Sequence, residues 1–120
     1  MNLENMRNNE KRQLAWNPNT PVTILHELAQ DTYWRVREYV AKNPNIPLNL
    51  LNELVKDEKW EVRRQAATHP RVTTKILITL FEYEKSLNNP SRFIIKGLYK
   101  NKMFPGFAKR VIETLFNRWM

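Results

Sequence analysis

Cysteine is absent from this chain, and glycine occurs only twice in 120 residues. The first absence excludes disulfides, thiol chemistry and cysteine-ligated iron–sulfur clusters. The second argues against hairpin-rich folds, whose turns call on glycine for positive φ. Serine is nearly missing too: Ser86 and Ser91 are the only two, and neither stands in a nucleophile elbow. His26 and His69 are the only histidines, and neither has a carboxylate or a second histidine at metal-ligand spacing. No glycine-rich phosphate loop is present. No apolar run approaches the roughly 18 residues that span a bilayer. The opening "MNLENMRNNEKR" lacks the apolar stretch of a signal peptide. These absences lead us to expect a cytoplasmic protein with no catalytic residue, no metal site and no cofactor.

What is present is one domain's worth of folded chain, 42% hydrophobic and 27% charged. Seven prolines against two glycines point to helices joined by stiff corners. The chain also repeats itself with a period of 26. Asn17, Asn43 and His69 fall in register, each followed by proline at 18, 44 and 70. Pro21 recurs as Pro47. Ile24, Leu50 and Ile76 coincide, as do Leu25, Leu51 and Leu77, and Leu28, Leu54 and Leu80. That spacing of one and four residues lines one face of a helix. Asp31 recurs as Asp57, Trp34 as Trp60, Val36 as Val62, Arg37 as Arg63 and Ala41 as Ala67, marking a second helix after the turns "QDTY" and "KDEK". One such pair cannot bury both apolar faces alone, so neighbouring units are expected to stack.

The pattern "NPNTP…IL..LA.D..W.VR..VAKNP" resembles the leucine-rich repeat variant proteins and, more broadly, HEAT-type helical repeats, over about residues 12 to 81. The expected fold is therefore all-α, a short right-handed α-solenoid of HEAT-like helix pairs with non-repeat C-terminal helices. A single domain over 1–120 divides into a cap at 1–18, repeats at 19–44 and 45–70, a partial repeat at 71–89 and a divergent basic cap at 90–120. The resemblance implies an inter-repeat ladder of Asp31, Arg37, Asp57 and Arg63. Asp31 is expected to approach Arg37 or Arg63, and Asp57 to approach Arg63. Past residue 80 one helix is expected to run on toward Leu87, with "NNPS" supplying a capping asparagine and Pro90 at a first-turn position, and with Ser86 and Ser91 flanking the junction as natural caps. Helices are expected near 90–101, with Phe93, Ile94 and Leu98 facing the core, and near 104–119. In the latter, Phe104, Phe107, Val111, Leu115 and Trp119 form a stripe suited to closing the core.

Charge is distributed unevenly. Residues 1–84 hold 12 basic and 11 acidic side chains, whereas 85–120 hold eight basic residues and only Glu113. The acidic group Asp57, Glu58 and Glu61 opens a helix, where negative charge favours the macrodipole, so we read it as surface and capping charge. Arg92, Lys96 and Lys100 follow at steps of four, with Lys102, Lys109, Arg110 and Arg118 nearby. These seven are the candidate partner- or phosphate-binding residues. Trp34 and Trp60 are either wedges between helices or aromatic contacts for a ligand. The reading is a non-enzymatic binding module whose basic end meets an acidic protein surface. Binding to the DNA or RNA backbone is the alternative, and association of the last amphipathic helix with a membrane surface is a third.

Overall fold

The computed structural model describes residues 2–119. Eight α-helices and two short 3₁₀ turns make up its regular structure, with no strand among the described residues. The helices are α1 (Asn8–Trp16), α2 (Val22–Leu28), α3 (Trp34–Lys42), α4 (Leu48–Leu54), α5 (Trp60–Ala67), α6 (Thr74–Ser86), α7 (Arg92–Lys100) and α8 (Gly106–Leu115). The 3₁₀ turns are Leu3–Asn5 and Asn117–Trp119. None of these helices is long and apolar enough to cross a membrane. The chain is elongated, 49 × 25 × 17 Å.

Each helix starts where the local chemistry directs it. Pro21, Pro47 and Pro105 precede α2, α4 and α8, with φ between −57° and −64° that is already helical. Thr73 holds the same place before α6 and caps it by accepting the Ile76 N–H. Ser91 caps α7 by accepting from Ile94 N–H, so this serine, rather than an asparagine of "NNPS", starts that helix. α1, α3, α5 and α7 lie side by side in one row, while α2 packs on α3, α4 on α5 and α6, and α8 on α7. Between the layers lies one continuous core that includes Leu25, Leu28, Val36, Val40, Leu50, Leu51, Leu54, Leu77, Leu80, Ile95 and Ile112.

At the N-terminal ends of the row runs a chain of ion pairs. Lys11 Nζ lies 2.8 Å from Asp31 Oδ2. Arg37 donates to both carboxylate oxygens of Asp57, at 2.7 and 3.1 Å, and Arg63 donates to Glu84. The remaining Arg37 nitrogen donates to the Asp31 carbonyl at 2.7 Å, and Arg63 repeats the gesture on the Asp57 carbonyl at 2.8 Å. Each guanidinium therefore grips its own turn by the backbone and the following segment by the carboxylate. Asp31 thus approaches Arg37, and Asp57 approaches Arg63, as expected, but through their backbone carbonyls, while the carboxylates pair elsewhere. Asp31 takes Lys11, Asp57 takes Arg37, and the acid facing Arg63 is Glu84. Each aspartate carboxylate is turned away from the arginine six residues on, accepting from the amide two residues on, Tyr33 N–H for Asp31 and Lys59 N–H for Asp57.

At the opposite ends of the row runs a second polar chain. Asn43, fully buried, donates to the carbonyls of Ala15 and Asn17 at 2.8 and 2.9 Å. His69 Nδ1 accepts from the Arg71 N–H, so its Nε2 carries the proton and donates to the Asn43 carbonyl at 2.8 Å. Asn17, Asn43 and His69 each accept from the amide two residues on, closing the same corner three times. Asn101 does so a fourth time, accepting from Met103 N–H at 2.7 Å. "KNKMFP" thus corresponds to "KNPNIP", and its Asn101 lies 32 residues after His69, instead of 26, because α6 has 13 residues where α4 has seven.

The last two helices depart from their expected stripes. Phe104, Ala108 and Ile112 are buried, whereas Phe107 and Leu115 are 62% and 58% exposed, and Phe93 is 62% exposed. Val111 and Trp119 are partly buried against the core. Phe104 lies in the corner before Pro105, at the place of Ile46, so the helical phase restarts at Gly106 and the core face shifts by one residue. In α7 the apolar residues that face the core are Ile94, Ile95 and Leu98.

Two consequences are measurable. Glu84 is fully buried and also accepts from Ser91 N–H at 2.9 Å, so Glu84→Ala strands Arg63 in the core. We expect a loss of about 3–5 kcal/mol in denaturant unfolding, since removing one partner of a buried pair leaves an uncompensated charge. For Asp31, burial alone raises the carboxyl pKa, but hydrogen bonds from Lys11 and the Tyr33 amide, with the charges of Lys11 and Arg37, hold it below its ordinary 3.8. The folded value being the lower one, Asp31 stabilises the fold above that pH, and the gain disappears as pH falls through the folded value. Asp31→Asn should therefore be less stable near pH 7 by about 1 kcal/mol and show a shallower acid decline below about pH 4.

Candidate binding face

The row α3, α5 and α7 presents one solvent face, since Val36, Arg37 and Val40, then Val62, Arg63 and Ala66, then Ile94, Ile95 and Leu98 point inward. On α3 the outward positions hold Arg35, Glu38 and Lys42, and on α5 Glu61, Arg64 and Thr68. The signs at matching places are opposed, Arg35 against Glu61 and Glu38 against Arg64. On α7 the matching residues are Phe93, Lys96 and Lys100, and no acid answers them.

The basic residues divide by role. Lys11, Arg37 and Arg63 are committed to the ion-pair chain. Lys85 pairs with Glu82 at 3.1 Å. Arg92, Lys96, Lys100, Lys102, Lys109, Arg110 and Arg118 make no ion pair among the described residues. The structure also separates these seven. Arg92, Lys96 and Lys100 belong to α7 and to the shared face. Lys109 and Arg110 are on α8, Lys102 precedes it, and Arg118 lies over the Trp119 ring at 5.4 Å. Lys109 occupies the place held by Leu25, Leu51 and Leu77, and is only half-buried. No further helix covers it among the described residues, so that place tolerates a charge.

The aromatic candidates are already engaged. Trp34 and Trp60 are half-buried against the core. The Trp34 ring carries the Arg35 guanidinium at 4.6 Å and Lys59 at 6.0 Å. Trp60 stacks on Phe93 with centroids 5.4 Å apart, tying α5 to α7. Tyr39 is held between Arg12 and Lys42 at 5.9 and 4.6 Å. Sequence reasoning missed Phe93 as a surface residue because it sits beside the buried Ile94. Its only sequence signal is its register with the charged residues Arg35, which is exposed, and Glu61, which is half-buried.

Three recesses mark this face and its edge. One of about 280 Å³ lies over Trp60 and is lined by Glu38, Glu61, Arg64 and Gln65. One of about 270 Å³ opens between α5 and α7, beside Phe93 and Gly97. A third of about 230 Å³ lies on the far side of α7, among Lys96, Tyr99, Lys100 and Trp119. Among the described residues no three His, Asp or Glu side chains gather as metal ligands would. His69 belongs to the corner chain, and His26 is half-buried on α2. No protein-family model, curated protein or solved structure matches the chain.

The division of charge predicts a division of effects. Reversing Arg92, Lys96 and Lys100 together to Glu should change unfolding stability by no more than about 1 kcal/mol, because exposed, unpaired cations contribute little to folding. Thermal melting of the triple variant beside wild type measures this.

Proposed function

We propose that the chain is a non-enzymatic binding module, a short right-handed α-solenoid of HEAT-like helix pairs, whose basic end recognises an acidic protein surface. The resemblance of the 26-residue units to leucine-rich repeat variant and HEAT-type repeats supports the architecture. The two recurring polar chains, which join neighbouring units, support it as well.

The observation that carries the functional reading is the charge excess of the last segment, where eight basic residues stand against the single acid Glu113 and all but Lys85 make no ion pair among the described residues. Such a surface raises the rate at which an acidic partner associates and selects against basic ones. A protein partner fits better than a phosphate backbone. A nucleic-acid strand continuing from α7 across α5 and α3 meets Glu61 and Glu38, and the rings on its way are covered by cations or by each other. One observation favours the nucleic-acid reading, namely the recess of Lys96, Lys100, Tyr99 and Trp119, which combines phosphate-binding and stacking groups.

A pull-down from the native host with the immobilised full chain, with and without nuclease, separates the two. We expect a discrete protein that survives nuclease and is lost with the triple Glu variant of Arg92, Lys96 and Lys100. Retention that nuclease abolishes, with a steep loss of affinity for a single-stranded oligonucleotide as salt rises, assigns the face to nucleic acid instead.

A further inference from the structure

Gly97 stands in the middle of α7, where glycine is the poorest helix former apart from proline. Nothing inside the chain calls for it. No glycine in the structure has positive φ, and a Cβ built on Gly97 meets no atom within 4 Å. The matching places on α1, α3 and α5 hold Gln13, Tyr39 and Gln65. What Gly97 provides is space: it lines the cleft of about 270 Å³ between α5 and α7. Leu80, Ile94 and Leu98 contribute apolar lining, and Phe93, held upright by Trp60, forms a wall.

The rim has the opposite character. Arg64 borders the cleft from α5 with Thr68, and Asn101 borders it from the end of α7, while Lys96 and Lys100 lie across α7 in the neighbouring recess with Tyr99 and Trp119. None of these three cations makes an ion pair among the described residues. A second copy of this chain is a poor occupant, since two +7 ends would repel. A bilayer is also a poor one, because Leu80, Ile94 and Leu98, the apolar floor of the cleft, are buried and of its lining only Phe93 is a large exposed apolar side chain.

We propose that this cleft is an anchor pocket for one apolar side chain borne on an acidic segment of the protein partner, with the flanking acids meeting Arg64, Lys96 and Lys100. The inference rests on the acidic-partner reading above and specifies its contact. Anchors of this kind, an apolar group seated in a pocket, concentrate binding energy at few residues.

The test uses the full chain and two fluorescein-labelled acidic dodecapeptides, identical except for a central Leu or Ser. In anisotropy titrations the Leu peptide should bind at least tenfold more tightly. Gly97→Leu fills the cleft and should erase that preference while binding the Ser peptide as wild type does. Gly97→Ala should melt about 3 °C higher than wild type, since it improves the helix without a clash. The triple Glu variant of Arg92, Lys96 and Lys100 should weaken both peptides. Equal binding of the two peptides, or a preference that survives Gly97→Leu, overturns the pocket. If the triple variant still weakens both in that case, the acidic-partner reading stands without it. Failure of wild type to bind either peptide removes both.

Discussion

The guanidinium of Arg37 cannot be satisfied within one unit. Buried to the extent of Arg37 and Arg63, such a group needs every donor matched, because an unpaired charge in the core costs several kcal/mol. Two carbonyls of its own turn take one nitrogen, and the carboxylate of Asp57 takes the others. That carboxylate lies 20 residues on, at the start of the next helix of the row. Folding one unit therefore fixes where the next must lie, and the planar fork of arginine fixes its orientation as well. The corner chain of Asn43 and His69 does the same at the other end of the row. With both ends pinned, the apolar row between them has a single register in which to pack.

The ends of the structure show how such a chain of contacts is stopped. It begins on Lys11, a compact charge on a flexible stem, half-buried where the arginines are buried. It ends on Glu84, whose second oxygen turns to the backbone of Ser91. In α7 the place of Arg37 and Arg63 is taken by Ile95, which is fully buried and carries no polar group forward. Once the ion pairs end, the surface of the last helices is free of that structural demand. The excess of cations over acids, Phe93 and Gly97 all occur there.

Much of this was legible because identical residues recur at a fixed distance. A period of 26 locates the helices through Leu28, Leu54 and Leu80 and names the buried polar residues through Arg37 and Arg63. The direction of pairing was not legible, since a recurring Asp and Arg fit a contact within a unit as well as one between units. Only the position of the Asp31 and Asp57 carbonyls decides it. The fourth corner was hidden twice over, by six extra residues in α6 and by the replacement of Pro44 and Asn45 with Lys102 and Met103. Phe107 and Leu115 were misplaced because the phase of α8 depends on Pro105 setting its start. The basic segment was plain from charge alone, but not that α7 and α8 carry separate parts of it. The cleft at Gly97 has no sequence signature, because a helical glycine becomes informative only when the space above it is seen to be open.

The central claim is that neighbouring units are coupled through the arginine–carboxylate contacts. A double-mutant cycle in urea on Arg37→Met and Asp57→Asn, each alone and together, measures that coupling directly. The account predicts an interaction energy between Arg37 and Asp57 of at least about 1 kcal/mol. Additivity of the two changes within about 0.3 kcal/mol would contradict it, and would leave the units held by apolar packing alone.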